Sequence, residues 1–126
     1  MSEHREAFPG NEAGVRTARM WLWSYIDRHP RANDIELCAA ELAANAIRHT
    51  ASRGWLFAMT VEHEEAGTRI TVADFGGHDK PELRRPAGVD ESHGHGLALV
   101  DVLTDAWGTD GDVHGRDVWA WWDTAV

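Results

Sequence analysis

A chain of 126 residues that is 43% hydrophobic can enclose one substantial core, and a single globular domain is expected. A formal net charge of −9, with one lysine, argues against a nucleic-acid partner, because affinity for a polyanion rests on neutralising phosphates with Lys and Arg. No run of about 18 apolar residues could span a bilayer, and the first residues lack the basic-then-apolar layout of a secretory leader. No membrane role and a cytoplasmic location are therefore expected.

The chain opens with a candidate edge strand, His4 to Phe8, closed by the turn signal Pro9-Gly10. Asn11 can then cap a helix that ends before Pro30, with Val15, Ala18, Leu22, Tyr25 and Ile26 on one face at helical spacing. On the opposite face Arg16, Arg19, Met20 and Trp23 cluster, and a methionine and a tryptophan stand where only polar residues are needed. Such a face suits protein docking; the alternative is a tryptophan folded over the core edge beside solvated arginines.

A second helix is expected from Asn33, which with Glu36 resembles a capping box, to about Ser52 before Gly54. Its lone cysteine, Cys38, lies among Leu37, Ala39 and Leu42 and reads as a small buried hydrophobe with no chemistry assigned. Alternation of Trp55, Phe57, Met59 and Val61 predicts a strand, and Arg69 to Phe75 predicts its hairpin partner. A long loop follows from Gly76 to His93, then a helix from Gly96 to about Ala106 with Leu99, Val102, Leu103 and Ala106 on one stripe, then a hairpin from Trp107 to Trp122. Most of the seven tryptophans are expected in the core. Hairpins and grouped helices in this order predict an α+β fold, a two-layer α/β sandwich with helices on one face of a mixed, mainly antiparallel sheet.

Three stretches carry candidate chemistry. On the second helix Ile35, Cys38, Leu42 and Ala46 form an apolar stripe, and Glu41 and Asn45 lie one turn apart along its edge. A carboxylate there can accept a proton and an amide oxygen can bind Mg²⁺, although an ordinary surface pair has the same spacing. In the strand 69–75, period two places Asp74 on the face of Ile70 and Val72, so a core-facing carboxylate needs a donor, unless Asp74 caps the turn that follows. Gly94-His95-Gly96-Leu97 opens a helix, where glycines let N–H groups at the positive end approach phosphate. A zinc site built from His49, His93 and His95 is the rival reading, but it leaves the glycines unexplained.

The segments Glu41-Leu-Ala-Ala-Asn45-Ala-Ile-Arg-His49, Asp74-Phe-Gly76-Gly77, Pro81 and Gly94-His-Gly96-Leu97, in that order, resemble the nucleotide pocket of the Bergerat-fold (GHKL) ATPases. Within them the chain is most similar to the anti-sigma-factor serine/threonine kinases with a histidine kinase-like ATPase domain, over nearly its whole length. The resemblance implies ATP and Mg²⁺ as cofactors, Glu41 as general base, Asn45 as Mg²⁺ ligand, and Asp74 as acceptor for the exocyclic amine of adenine. It also implies nucleotide contacts from His49, Gly76, Gly77, Gly94, His95, Gly96 and Leu97, and a lid over the phosphates at about 76–95. Arg84 and Arg85 in that lid are left unassigned between triphosphate contact and solvent. Implied partners are a sigma factor and an anti-sigma-factor antagonist protein, with Arg19 as the matching docking arginine, and a homodimer is the common state at this size. A nucleotide-gated binding module without phosphoryl transfer stands as the alternative. One departure weighs against a C-terminal phosphate contact: Asp117 lies where a threonine is expected, and its charge would repel phosphate.

Overall fold

The computed structural model describes residues 1–49, 55–74, 91–112 and 115–124. Along them run β1 (Ser2–Pro9), α1 (Glu12–Ile26), α2 (Ala32–His49), β2 (Leu56–His63), β3 (Gly67–Asp74), α3 (Glu91–Leu103), β4 (Ala106–Asp112) and β5 (Gly115–Asp123). The strands form one sheet in the order β1-β2-β3-β5-β4, and every described pairing is antiparallel. The helices cover one face, with α2 between α1 and α3, giving the expected two-layer α+β arrangement.

Asn11 caps α1 as its side-chain type requires: Oδ1 accepts the N–H of Gly14 at 2.8 Å. Gly14 itself is forced by packing, because a Cβ there would stand 1.8 Å from the carbonyl oxygen of Pro9. The α1 stripe then buries Ala18, Leu22 and Ile26, with Val15 and Tyr25 packed at its margin.

The capping box expected at Asn33 does not form. The helix α2 begins at Ala32, so Asn33 lies exposed inside its first turn, and Glu36 is drawn to Arg19 of α1, whose Nε stands 3.2 Å from Oε2. The turn before the helix is closed by His29, whose Nδ1 accepts the N–H of Arg31 at 2.9 Å. The local motif lost to an imidazole acceptor and an interhelical ion pair, neither of which sequence spacing encodes.

In the sheet, Phe57, Met59, Val61, Ile70, Val72, Val118, Ala120 and Trp122 face the helices and are buried. The tryptophans depart from expectation: Trp122 is the one fully buried, while Trp23 and Trp55 are exposed and Trp119 and Trp121 lie on the opposite sheet face. Alternation along β5 dictates this, since residues of odd and even number point to opposite sides. On that outer face the guanidinium of Arg69 stacks 4.7 Å from the Trp119 ring and 5.9 Å from that of Trp121.

The helix α3 is shifted against its expected span, running from Glu91 and ending at Leu103. Among its described side chains Val100 is fully buried and Val102 is 76% exposed, and Ala106 belongs to β4. The stop at Leu103 has a physical cause, because its carbonyl accepts both Arg31 Nη2 at 3.0 Å and Trp122 Nε1 at 2.8 Å.

Candidate nucleotide site

Burial of Ile35, Cys38, Leu42 and Ala46 fixes the rotation of α2 about its axis. Glu41 and Asn45 consequently fall on the flank of the stripe, both half-buried, and neither has a side-chain partner among the described residues. An acid and an amide are thus left available at a boundary between core and solvent. Cys38 is inert here: burial first, and the charge of Glu41 second, push its thiol up to about 12.

The far wall of this site is the end of the sheet. Asp74 shares the helix-facing side with Ile70 and Val72 and is 6% exposed, as alternation requires. Its Oδ1 accepts the backbone N–H of Arg116 at 3.3 Å, so one contact of this carboxylate comes from β5 across the ladder. Phe57, Asp74, Arg116 and Gly111 form one row across four strands.

That register corrects the reading of Asp117. Residues 116, 118, 120 and 122 point to the helix side, and Asp117 stands opposite Ala73 and Asp110 on the outer face with Trp119 and Trp121. The residue opposite Asp74 on the inner face is the exposed Arg116, a cation rather than an anion. Sequence reasoning passed over Arg116, yet counting back by twos from the buried Trp122 finds it.

The glycine segment is placed differently from expectation. With α3 starting at Glu91, Gly94, His95, Gly96 and Leu97 occupy its first two turns, and the N–H groups open at the positive helix end are those nearest Glu91. A glutamate in the first turn favours that earlier start, since its charge complements the helix dipole. Leu97 is half-buried; the side chains of His49 and of the helix start through Gly96 lie outside the described residues. Gly76, Gly77, Pro81, Arg84 and Arg85 lie outside the described residues altogether, and with them most of the lid, so neither the lid nor the side chains of the zinc alternative are described.

A cavity of about 720 Å³ lies elsewhere, lined by Gly10, Asn11, Glu12, Ala13, Ala44, Ile47 and Arg48. Ile47 is about 160° around α2 from Asn45 at 100° per residue, so this space opens on the α1 flank, while Arg48 at its rim lies within about 20° of Glu41 around the helix. On the outer side of α1, Met20 is 71% exposed and Trp23 38%, with Arg16 beside them and Arg19 tied to Glu36. Among the described residues no helix is long and apolar enough to cross a membrane.

Residues 8–122 match the family model of the histidine kinase-like ATPase domain. Among solved structures, the chain is similar to the RsbU and RsbW domains of Rv1364c from Mycobacterium tuberculosis, at 16% identity and a TM-score of 0.72, over 97% of this chain and 32% of that one. It thus spans about a third of the length of that chain. It is also similar to a chain of the SiaB-SiaC complex from Pseudomonas aeruginosa, at 15% identity and a TM-score of 0.64, over 94% of this chain and 88% of that one. At such identities these likenesses show the fold. No curated protein matches the chain.

Proposed function

Because the chain belongs to the histidine kinase-like ATPase domain family, we propose that it binds ATP with Mg²⁺ between the flank of α2 and the end of β3. The observation that carries this reading is a buried, core-facing Asp74 at the end of β3, the strand on which α2 packs with Glu41 and Asn45 half-buried on its flank. Asp74 accepts the exocyclic amine of adenine, where guanine would present an acceptor. The Asn45 amide oxygen is a hard ligand suited to Mg²⁺, which when bound neutralises charge on the triphosphate. In an acidic chain that role matters, since arginines and backbone N–H groups supply the remaining positive potential.

The reaction proposed is transfer of the γ-phosphoryl group to a serine or threonine of an antagonist protein, with the chain acting as an anti-sigma factor toward a sigma factor. The acceptor hydroxyl gives its proton to Glu41 as its oxygen bonds to phosphorus, and the bond between the γ-phosphorus and the bridging oxygen breaks to leave ADP. Most of the rate then comes from positioning and charge neutralisation. The exposed Arg16, Arg19, Met20 and Trp23 face supports a protein partner on α1. That face equally suits a nucleotide-gated binding module without transfer.

Thermal melts with ATP, ADP and GTP test binding: at a hundredfold excess over Kd a native-state ligand adds about 2.7 kcal/mol of stability. The expected result is a shift with ATP and ADP and none with GTP; equal shifts with GTP would overturn the pocket. Glu41→Gln should keep the ATP shift and lose phosphorylation of the antagonist, whereas Asn45→Ala should lose the Mg²⁺ dependence of binding. Wild-type protein that binds ATP but phosphorylates no antagonist would support the binding module.

A further inference from the structure

We propose that Arg116 is a second base-reading side chain, donating its guanidinium N–H to N1 of adenine while Asp74 accepts from the amine at C6. The inference rests on the nucleotide reading of the Asp74 site and adds a residue that the pattern of motifs did not supply. It starts from the register of β3 and β5, in which Asp74 and Arg116 are direct cross-strand partners and therefore project from the same side of the sheet.

Three features separate this arginine from an ordinary solvated surface cation. Its position is fixed by the main chain, since its own backbone N–H is bonded to Asp74 Oδ1. The guanidinium has no ion-pair partner among the described residues, unlike Arg19 and Arg31, which are held by Glu36 and by Asp34 and Asp105. Across the ladder its other neighbour is Gly111, whose φ of +115° favours glycine, so its β4 partner in the row contributes no side chain and the flanking side chain on the other side is Asp74.

An acceptor and a donor placed side by side match the Watson–Crick edge of adenine, which offers a donor at the C6 amine and an acceptor at N1. Guanine and hypoxanthine offer the reverse, a carbonyl acceptor at C6 and a donor at N1, so both contacts would fail together. An arginine alone would not discriminate in this direction, because its donors serve the acceptors of guanine well. The order of the pair, with the carboxylate buried and the guanidinium at the rim, sets the preference.

The test compares wild type, Arg116→Ala and Arg116→Lys by calorimetric titration with ATP, ADP, adenosine and 1-deaza-ATP, which lacks only the N1 acceptor. Wild type should lose about tenfold in affinity when N1 is removed, the size of one charge-assisted hydrogen bond. Arg116→Ala should lose about the same factor for ATP, ADP and adenosine alike and should show no further penalty for 1-deaza-ATP. Arg116→Lys, which keeps a donor on a different stem, should recover part of the N1 contact. A loss in Arg116→Ala that appears for ATP but not adenosine would make Arg116 a phosphate ligand and overturn the proposal. A 1-deaza penalty that persists in the variant would overturn it as well. Wild type that bound none of these ligands would instead sink the nucleotide reading itself, so the two failures are distinguishable. Because the bond to Asp74 comes from the main chain, the alanine variant retains it, and an unchanged melting temperature without ligand verifies that the fold is intact.

Discussion

At the end of the sheet where α1 turns into α2, polar side chains satisfy one another, whereas toward the opposite end the side chains of Glu41, Asn45 and Arg116 have no partner among the described residues. In the first region His63 Nε2 meets the Tyr25 carbonyl at 2.8 Å and its Nδ1 meets Thr68 Oγ1 at 3.1 Å. Arg31 reaches Asp105 and the Leu103 carbonyl, and Trp122 donates to the same carbonyl. In the second region Arg116 stands opposite the buried Asp74 across the ladder, and the side chains of Glu41, Asn45 and Arg116 have no hydrogen-bond or ion-pair partner among the described residues. The contrast teaches where stability and chemistry separate: a fold that consumes its polar groups at one end can leave them available at the other.

The sharpest way to break that contrast is to damage each end in turn. Trp122→Ala empties a fully buried ring and leaves the Leu103 carbonyl with one donor fewer, and should cost about 3–5 kcal/mol in chemical denaturation. Glu41→Gln, on a half-buried flank, should change stability by no more than about 0.5 kcal/mol. If the glutamine variant were destabilised as much as the alanine variant, the two ends would not differ in kind.

Much of this contrast was legible in the sequence and some of it was not. The α1 stripe, the Asn11 cap, the inward Asp74 and the antiparallel hairpins follow from periodicity and turn chemistry, which are local. The facing of Glu41 and Asn45 follows from the α2 stripe for the same reason. What local pattern could not supply were long-range partners. Glu36 is taken by Arg19, the N–H of Arg31 goes to a histidine, and α3 stops where Arg31 and Trp122 meet its last carbonyl. Arg116 was hidden differently, since its importance depends on which β5 residue stands opposite Asp74, and register is set only when the strands pair.

A smaller effect sharpens the comparison at the closed end. Arg31 links the start of α2 to the end of α3 through Asp105 Oδ1 at 3.2 Å and the Leu103 carbonyl at 3.0 Å, but it is partly exposed. Arg31→Ala should therefore destabilise by about 1–2 kcal/mol, less than a buried charged bond would. Affinity for ATP should stay within about twofold, because the lost contacts lie at the α2 start rather than along the Glu41 and Asn45 flank. A tenfold loss of ATP affinity at unchanged stability would instead make Arg31 part of the site.

The smallest expected effect is a pH dependence located at His29. Its Nδ1 must stay unprotonated to accept the Arg31 N–H, and burial first, then the neighbouring His63 and Arg31, hold its pKa below the ordinary 6.5. The unfolded chain therefore takes up a proton at a higher pH than the folded one. Stability from this group is complete above about pH 6.5 and is lost as pH falls from there toward the depressed folded value. Asp105 adds nothing in that window, because the Asp123 N–H, and after it Arg31, keep its carboxyl below 3.8 and hence ionised. His29→Asn preserves an acceptor, Oδ1, at the position of Nδ1 without the titration. Wild type should accordingly lose more stability than His29→Asn between pH 7 and pH 5 in paired denaturation curves, while the two agree more closely above pH 7. Parallel pH profiles would show that the imidazole of His29 is a passive turn residue whose titration does not contribute to the stability of the closed end.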